Sequence, residues 1–313
     1  MGITKKQALR AIAAQARKHA GMKFDSKALL PEPIVDEYLK SSEGVYQRFA
    51  EFYKSLPHKH GGHPDYDFLA DPDNLGRTVE GNITTLFMDL KNFTKYCCFL
   101  SREKVYSAKY ASIEATIGVC RIHGGHLHDI TGDGVMFFFG GARANDITSA
   151  RRALDAAADA MELLETEVIP EYNSNSQYPN IHPKIGVDFG TALWGAYGAP
   201  PVFEVKATAF NVDIANKMMA ERNSQEVAIG DEIKELLKIE EERYLEKGWV
   251  YDRQLTVNGE QKKFSYSTWV FGWRKYLRDR NDEDKDLAKL GMVTSSPLVV
   301  TGSKTKLGDA PLA

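Results

Sequence analysis

Four short apolar stretches set the terms on which this chain can fold: "NITTLFMDL" from Asn82, "VMFFFG" from Val135, "PKIGVDFGTALWGAYG" from Pro183 and "EVAIG" from Glu226. Glycine, proline or polar clusters bound them, and the segments between them carry apolar residues at helical spacing, so period alone separates strands from helices. "REKVYSAKYASIEATIGVCRIH" predicts a helix introduced by Ser101 and stopped by Gly124-Gly125. "DITSARRALDAAADAMELLETEVI" predicts another, from Asp146 as N-cap to the stop at Pro170, and "FNVDIANKMMAERN" and "DEIKELLKIEEERY" two more. "GHLHDI" and "VMFFFG" read as a hairpin about the turn "TGDG". The third apolar stretch reads as two short strands. A closing hairpin turns at Asn258-Gly259, a pair favoured in type I′ turns. This order predicts an α+β fold, a mostly antiparallel sheet with helices covering one face.

The chain divides by composition. Residues 1–79 read as a helical and loop region, with Leu9, Ile12 and Ala13 at helical spacing ahead of the loop "LPHKHGGHPDYDFLADPDN". His58, His60 and His63 in that loop have no cysteine or carboxylate at the spacing of a closed zinc site, and they read as solvated. The histidines of "HGGHLH" read as structural. Residues 80–275 form the main domain. Residues 276–313 are a partly flexible tail, polar and sparse in large apolar residues after Arg280, with room for one short helix. A net charge of -3 and a pI near 6.3 give no positive field along which a nucleic-acid backbone would bind. No stretch approaches the roughly 20 apolar residues of a membrane span, and Gln15, Arg17 and Lys18 interrupt any signal-peptide core. Of three cysteines, Cys97 and Cys98 are adjacent, which argues against a disulfide framework and for a reducing, cytoplasmic setting.

Two aspartates carry the chemistry. Asp89 ends the first strand, and Asp133 sits between Gly132 and Gly134 in the hairpin turn, 44 positions later. Alone, a glycine-flanked aspartate is ordinary turn chemistry. Together, two carboxylates at neighbouring strand ends repel unless cations separate them, and Mg²⁺ or Mn²⁺ takes such oxygen ligands. Behind Asp89 the chain passes from strand to helix start at Asn92, Phe93 and Thr94, where backbone N–H groups attract phosphate. Metals beside a phosphate cradle imply phosphoryl or nucleotidyl transfer.

"LFMDLKNFT", "HGGHLHDITGDGVMFFFG", "KIGVDFGTALWGAYG" and "FNVDIANKM" resemble the catalytic domain of class III nucleotidyl cyclases, the adenylate and guanylate cyclase family, over roughly residues 80 to 275. The chain also looks like the pyrimidine cyclases of the Pycsar antiphage systems. The resemblance implies a ferredoxin-like palm, two divalent cations (Mn²⁺ or Mg²⁺) on Asp89, Asp133 and the Leu90 carbonyl, and cyclisation of a nucleoside triphosphate with loss of pyrophosphate. It places Asp129 and Lys206 at the base-reading positions, with their charges reversed from the adenylate cyclase pattern. Asp213 and Lys217 fall at the positions of the family's ribose and transition-state residues, an asparagine and an arginine. Family sites are shared between subunits, which implies a homodimer, and the product would be a second messenger read by a separate effector in antiphage defence. An aspartate that accepts from N3–H and a lysine that donates to O4 match uracil, and the likeness to the antiphage pyrimidine cyclases makes UTP the expected substrate. Guanine satisfies the same pair, and guanylate and cytidylate cyclases remain alternatives, as does a silent nucleotide sensor, against which the retained metal pair argues.

Overall fold

The computed structural model describes residues 9–12, 14, 63–71, 74, 76–173, 179–199, 202–239, 241–258 and 260–289. Its centre is a pair of long antiparallel strands, β1 (Thr78–Lys91) and β4 (His182–Ala199), in register from Thr78–Gly195 to Lys91–His182. β2 (His126–Thr131) and β3 (Gly134–Gly140) form the expected hairpin, and β3 lies on the other side of β1. β5 (Val202–Thr208), β6 (Val227–Gly230), β7 (Leu245–Val257) and β8 (Glu260–Phe271) complete an eight-stranded sheet. Its order is β2-β3-β1-β4-β6-β8-β7, with β5 paired to β4. The first four strands therefore adopt the split β-α-β order of a ferredoxin-like core, and among the described strands only the β4–β6 pairing is parallel.

Among the described residues, the strands are connected by the helices α1 (Phe93–Phe99), α2 (Arg102–Ile122), α3 (Asp146–Leu163), α4 (Phe210–Ala220), α5 (Asp231–Leu237) and α6 (Glu241–Tyr244), and β8 is followed by α7 (Trp273–Lys289). Ser101 caps α2, as expected. The cap of α3 is Asn145, not Asp146, because the Asn145 side chain accepts from the Thr148 N–H at 2.9 Å. The segment expected as one helix after Gly230 is two, broken at Lys238 in the left-handed region (φ 50°). The stretch expected as two short strands is the single strand β4. Its glycines mark close approach and not a break, since a Cβ on Gly186 would lie 2.2 Å from the Ala215 carbonyl of α4.

Helices cover both faces of the sheet, where one was expected. Leu86, Met88, Val135, Phe137, Phe139, Ile185 and Val187 pack in one core with α2, α3, α5 and α7. Their alternating neighbours Ile83, Phe87, Met136, Phe138, Ala192 and Trp194 pack in a second core with α4 and a 3₁₀ helix, Pro64–Ala70. Two covered faces explain why Val135–Phe139 is apolar at every position. Each of those five side chains is at most 8% exposed and stabilises the fold by about 1.5–3 kcal/mol.

The segments flanking the sheet are part of it. His63, expected in a solvated loop, is buried, and burial first and His126 second push its pKa down to about 4. Tyr66 stacks on Trp194 with centroids 4.4 Å apart, over Gly81, where a Cβ would lie 1.7 Å from the Tyr66 hydroxyl. The other two loop histidines, His58 and His60, lie outside the described residues, as does most of the expected N-terminal helix. Leu9–Ile12 is helical, and Ile12 seats against α2 at Gly118, where a Cβ would come within 2.8 Å of it. The tail expected from residue 276 begins inside α7, which runs 17 residues from Trp273, and its remainder, residues 290–313, lies outside the described residues. Arg280 bonds Asp155 at 2.8 Å and also Asp159, Tyr276 donates to Asp155 at 2.8 Å, and His123 meets Asp159 at 2.8 Å. No described helix is long and apolar enough to cross a membrane.

Asp188 of β4 is fully buried on the α4 side and accepts from the Tyr266 hydroxyl at 2.8 Å, which itself accepts from the Glu232 N–H at 3.1 Å. Burial, with lesser contributions from Glu232 and Asp231, pushes its pKa up to about 8. The folded value exceeds the unfolded one, so this carboxyl favours the protonated state in the fold. Stability should then fall as pH rises from about 4 to about 8, by up to about 1.4 kcal/mol per unit. Asp188→Asn keeps an acceptor for Tyr266 and should melt near wild type at pH 4 but several degrees higher at pH 8. A melting difference that does not change with pH would show that the carboxyl is ionised in the fold.

Candidate active site

The hairpin turn brings Asp133 against the end of β1. Gly132 takes the left-handed conformation (φ 58°) that the first central position of a two-residue II′ turn requires. Gly134 serves differently, because a Cβ there would lie 2.4 Å from the Met88 carbonyl, so only glycine lets the turn close onto β1 beside Asp89. The two carboxylates interact directly. Burial, then the charge of Asp89, pushes the Asp133 pKa up to about 6, against the opposing pull of its own backbone N–H and of Lys109. Leu90 adds an oxygen. Leu90 lies two residues beyond the last β1–β3 pair at Met88–Val135, so the strand alternation that sets the Met88 carbonyl against Gly134 turns the Leu90 carbonyl to the same side of β1, away from β4.

Two hard carboxylates with raised mutual repulsion and a nearby carbonyl fit Mg²⁺ or Mn²⁺. Among the described residues no group of three His, Cys, Asp or Glu side chains is placed to hold a metal, so a cation here would take its remaining oxygens from the backbone, water or substrate phosphates. The site also contains a group that the sequence reading missed. Lys184, buried at the start of β4 in register with Asp89, places its Nζ 3.6 Å from Asp89 Oδ2. Its only signal was a lysine opening an otherwise apolar strand. An ammonium there offsets part of the carboxylate repulsion and can take a phosphate oxygen.

The two positions expected to read the base also come together. Lys206 Nζ is 3.1 Å from Asp129 Oδ2, and Asp129 Oδ1 accepts from the Ile130 N–H at 2.8 Å. Burial pulls the Lys206 pKa down, but bonds to Glu204 and Asp129 outweigh it and hold it above the ordinary value. Burial likewise raises Asp129, but Lys206 brings its pKa below the usual carboxylate range.

The phosphate cradle is less open than expected. Asn92, at φ 68°, directs its Nδ2 to the Asn180 carbonyl at 3.0 Å, so its side chain ties two loops together instead of standing free for a ligand. Phe93 is half-buried over Tyr96 and Thr94 is exposed. Asp213 and Lys217 are exposed on α4, whose other side buries Ile214, Ala215, Met218 and Met219. Lys217 lies 5.7 Å from the Tyr251 ring centroid. Among the described residues no hydrogen bond or ion pair links these two to each other or to Asp89 and Asp133.

A sequence model of the adenylate and guanylate cyclase catalytic domain matches residues 77–268. The chain belongs to that family. Cyclase relatives include a cytidylate cyclase of Escherichia coli, 32% identical over 230 residues that cover 69% of this chain and 49% of that one. A cytidylate cyclase of Staphylococcus aureus is 26% identical over 250 residues, covering 77% and 57%. The chain thus spans about half the length of the curated cyclases it matches. Among solved structures, the guanylyl cyclase Cya2 aligns over 62% of this chain and 92% of its own at a TM-score of 0.50 and 20% identity. A bacterial light-regulated adenylyl cyclase aligns over 77% and 66% at 0.51 and 14%. Both likenesses support the cyclase palm as the fold.

The close approach at Gly134 gives a direct test of how the carboxylate pair is assembled. Gly134→Ala should lower stability by about 1–3 kcal/mol, because the added methyl drives β3 off the Met88 carbonyl. Unchanged thermal melting would show that the turn does not need this contact.

Proposed function

We propose that this chain is a pyrimidine nucleotide cyclase, which closes a ribonucleoside triphosphate to its 3′,5′-cyclic monophosphate and releases pyrophosphate. The observation that carries the reading is the convergence of Asp89 and Asp133 at one strand end, in a family member that also pairs Asp129 with Lys206 four residues before the second aspartate. The ribose 3′ oxygen forms a bond to the α-phosphorus, the bond from that phosphorus to the bridging oxygen breaks, the hydroxyl proton is lost to solvent, and pyrophosphate departs. Asp89, Asp133 and the Leu90 carbonyl are the groups that would hold Mn²⁺ or Mg²⁺, which when bound activates the hydroxyl and steadies the triphosphate. Lys184 offers fixed positive charge to the phosphates, and Lys217 offers it to the departing pyrophosphate.

Asp129 and Lys206 favour a base with a donor and an acceptor side by side. For cytosine, Asp129 accepts from N4–H and Lys206 donates to N3; for uracil, the pair meets N3–H and O4 with its order along the base edge reversed. The three curated relatives named cytidylate cyclase support CTP as the substrate. UTP is the second reading, supported by the match of both charges to uracil. Asp213 and Lys217 are exposed on α4 and, among the described residues, bond neither metal aspartate, which supports a homodimer whose two sites each draw on both subunits. A cyclic pyrimidine nucleotide made this way would serve as a second messenger for a separate effector.

Competition of all four ribonucleoside triphosphates with Mn²⁺, with products identified by mass spectrometry, should yield cyclic CMP or cyclic UMP in excess; a purine product in excess would overturn the pyrimidine assignment. Asp129→Ala should reduce that preference about tenfold. Mn²⁺ at about 100 times its Kd should stabilise wild type by about 2.7 kcal/mol, and Asp89→Ala and Asp133→Ala should abolish both that shift and turnover. Mixing Asp89→Ala with Lys217→Ala protein should restore part of the activity, since a mixed dimer contains one intact site. No recovery after demonstrated subunit exchange would count against the shared site.

A further inference from the structure

Lys206 carries two carboxylates, not one. Its Nζ lies 3.1 Å from Asp129 Oδ2 and 2.9 Å from Glu204 Oε2. Glu204 precedes it by two residues on β5, so both side chains leave the same face of the strand. In the β4–β5 register Glu204 stands opposite Tyr197 and Lys206 opposite Gly195. Gly195 puts no side chain in the way of the lysine stem. The Tyr197 ring leans over that gap, 4.0 Å from where a Gly195 Cβ would be, and its hydroxyl is fixed to Thr208 at 2.6 Å. The lysine therefore rises from a slot, walled by a held tyrosine and tethered along its own strand.

This arrangement resolves a difficulty in the base-reading pair. An aspartate and a lysine that satisfy only each other must part before either can meet a base, and that costs the contact between them. An ammonium has three N–H groups. With one on Glu204 and one on Asp129, the third is free to point outward. When Asp129 turns its carboxylate to a base N–H, Glu204 keeps the ammonium charged and in place. Asp129 is steadied independently by the Ile130 N–H.

We propose that Glu204 is the positioning residue of the base site, holding Lys206 in its base-reading pose without touching the base itself. The proposal rests on the reading of Asp129 and Lys206 as the base-reading pair. Glu204 has a side chain 67% exposed, so its replacement leaves the core intact and wild-type melting is expected of its variants.

Steady-state kinetics of the full chain, with each of the four triphosphates and Mn²⁺, test it. Glu204→Gln and Glu204→Ala should raise KM for the preferred triphosphate by about 3- to 10-fold, leave kcat within about twofold, and narrow the preference between bases by a similar factor. Glu204→Asp, which keeps the charge, should recover part of both effects. Unchanged KM and unchanged base ranking in Glu204→Ala would overturn the proposal, and so would a fall in kcat equal for all bases with KM unmoved. Asp129→Ala and Lys206→Ala separate the two levels. If they shift base preference and Glu204→Ala does not, the positioning role alone falls. If they leave base preference untouched, the reading of the pair falls and the role of Glu204 falls with it.

Discussion

The repulsion between Asp89 and Asp133 is the constraint around which this domain is arranged. Two carboxylates brought together at a half-buried strand end destabilise the fold unless something else enforces their approach. The enforcement is backbone: a paired β1–β4 ladder along all of β1, a hairpin that turns tightly at Gly132, and the missing side chain at Gly134. Flexible side chains would relax away from each other; a ladder does not. The buried residues on both faces supply the stability against which the repulsion is set, and Lys184 removes part of the charge from within.

Charge on the groups proposed to meet substrate is distributed in the same manner. Asp89 is limited by Lys184, Asp129 by Lys206 and the Ile130 N–H, and Lys206 by Glu204. Such a site is organised before ligand arrives, and binding then exchanges one polar partner for another, at less cost than assembling the contacts afresh. Asp213 and Lys217 are the exception, since α4 leaves them on its outer side.

Much of this was legible in the residues, and the failures have definite causes. Period separated strands from helices because apolar runs alternate with helical spacing, and the turn at Gly132-Asp133 followed from its glycines. The second layer of helices was missed because local order says nothing about which side of a sheet a crossover takes; the unbroken run Val135–Phe139 was the available clue. β4 was cut in two because glycines in a strand look like ends, whereas Gly186 makes room for α4. His63 looked like part of a wet loop because its burial depends on Tyr66 and Trp194, and the tryptophan is far away in sequence and meets it only in the folded chain. Lys184 carried only the signal of a lysine opening an apolar strand and Glu204 none, and strand register brings them to the site.

The α7 clamp has a consequence for how such domains can be cut and joined. The match to the family model ends at residue 268, yet Asp159 lies buried on α3 with Arg280 and His123 as its partners. A segment excised at residue 268 would leave that carboxylate without its guanidinium in a dry interior, where losing one member of such a pair destabilises by about 3–5 kcal/mol. At the other end, removing Ile12 would open the notch over Gly118 to water. The portable unit for grafting onto another protein is therefore larger than residues 77–268, because its outer helix supplies a counter-charge to the inner one.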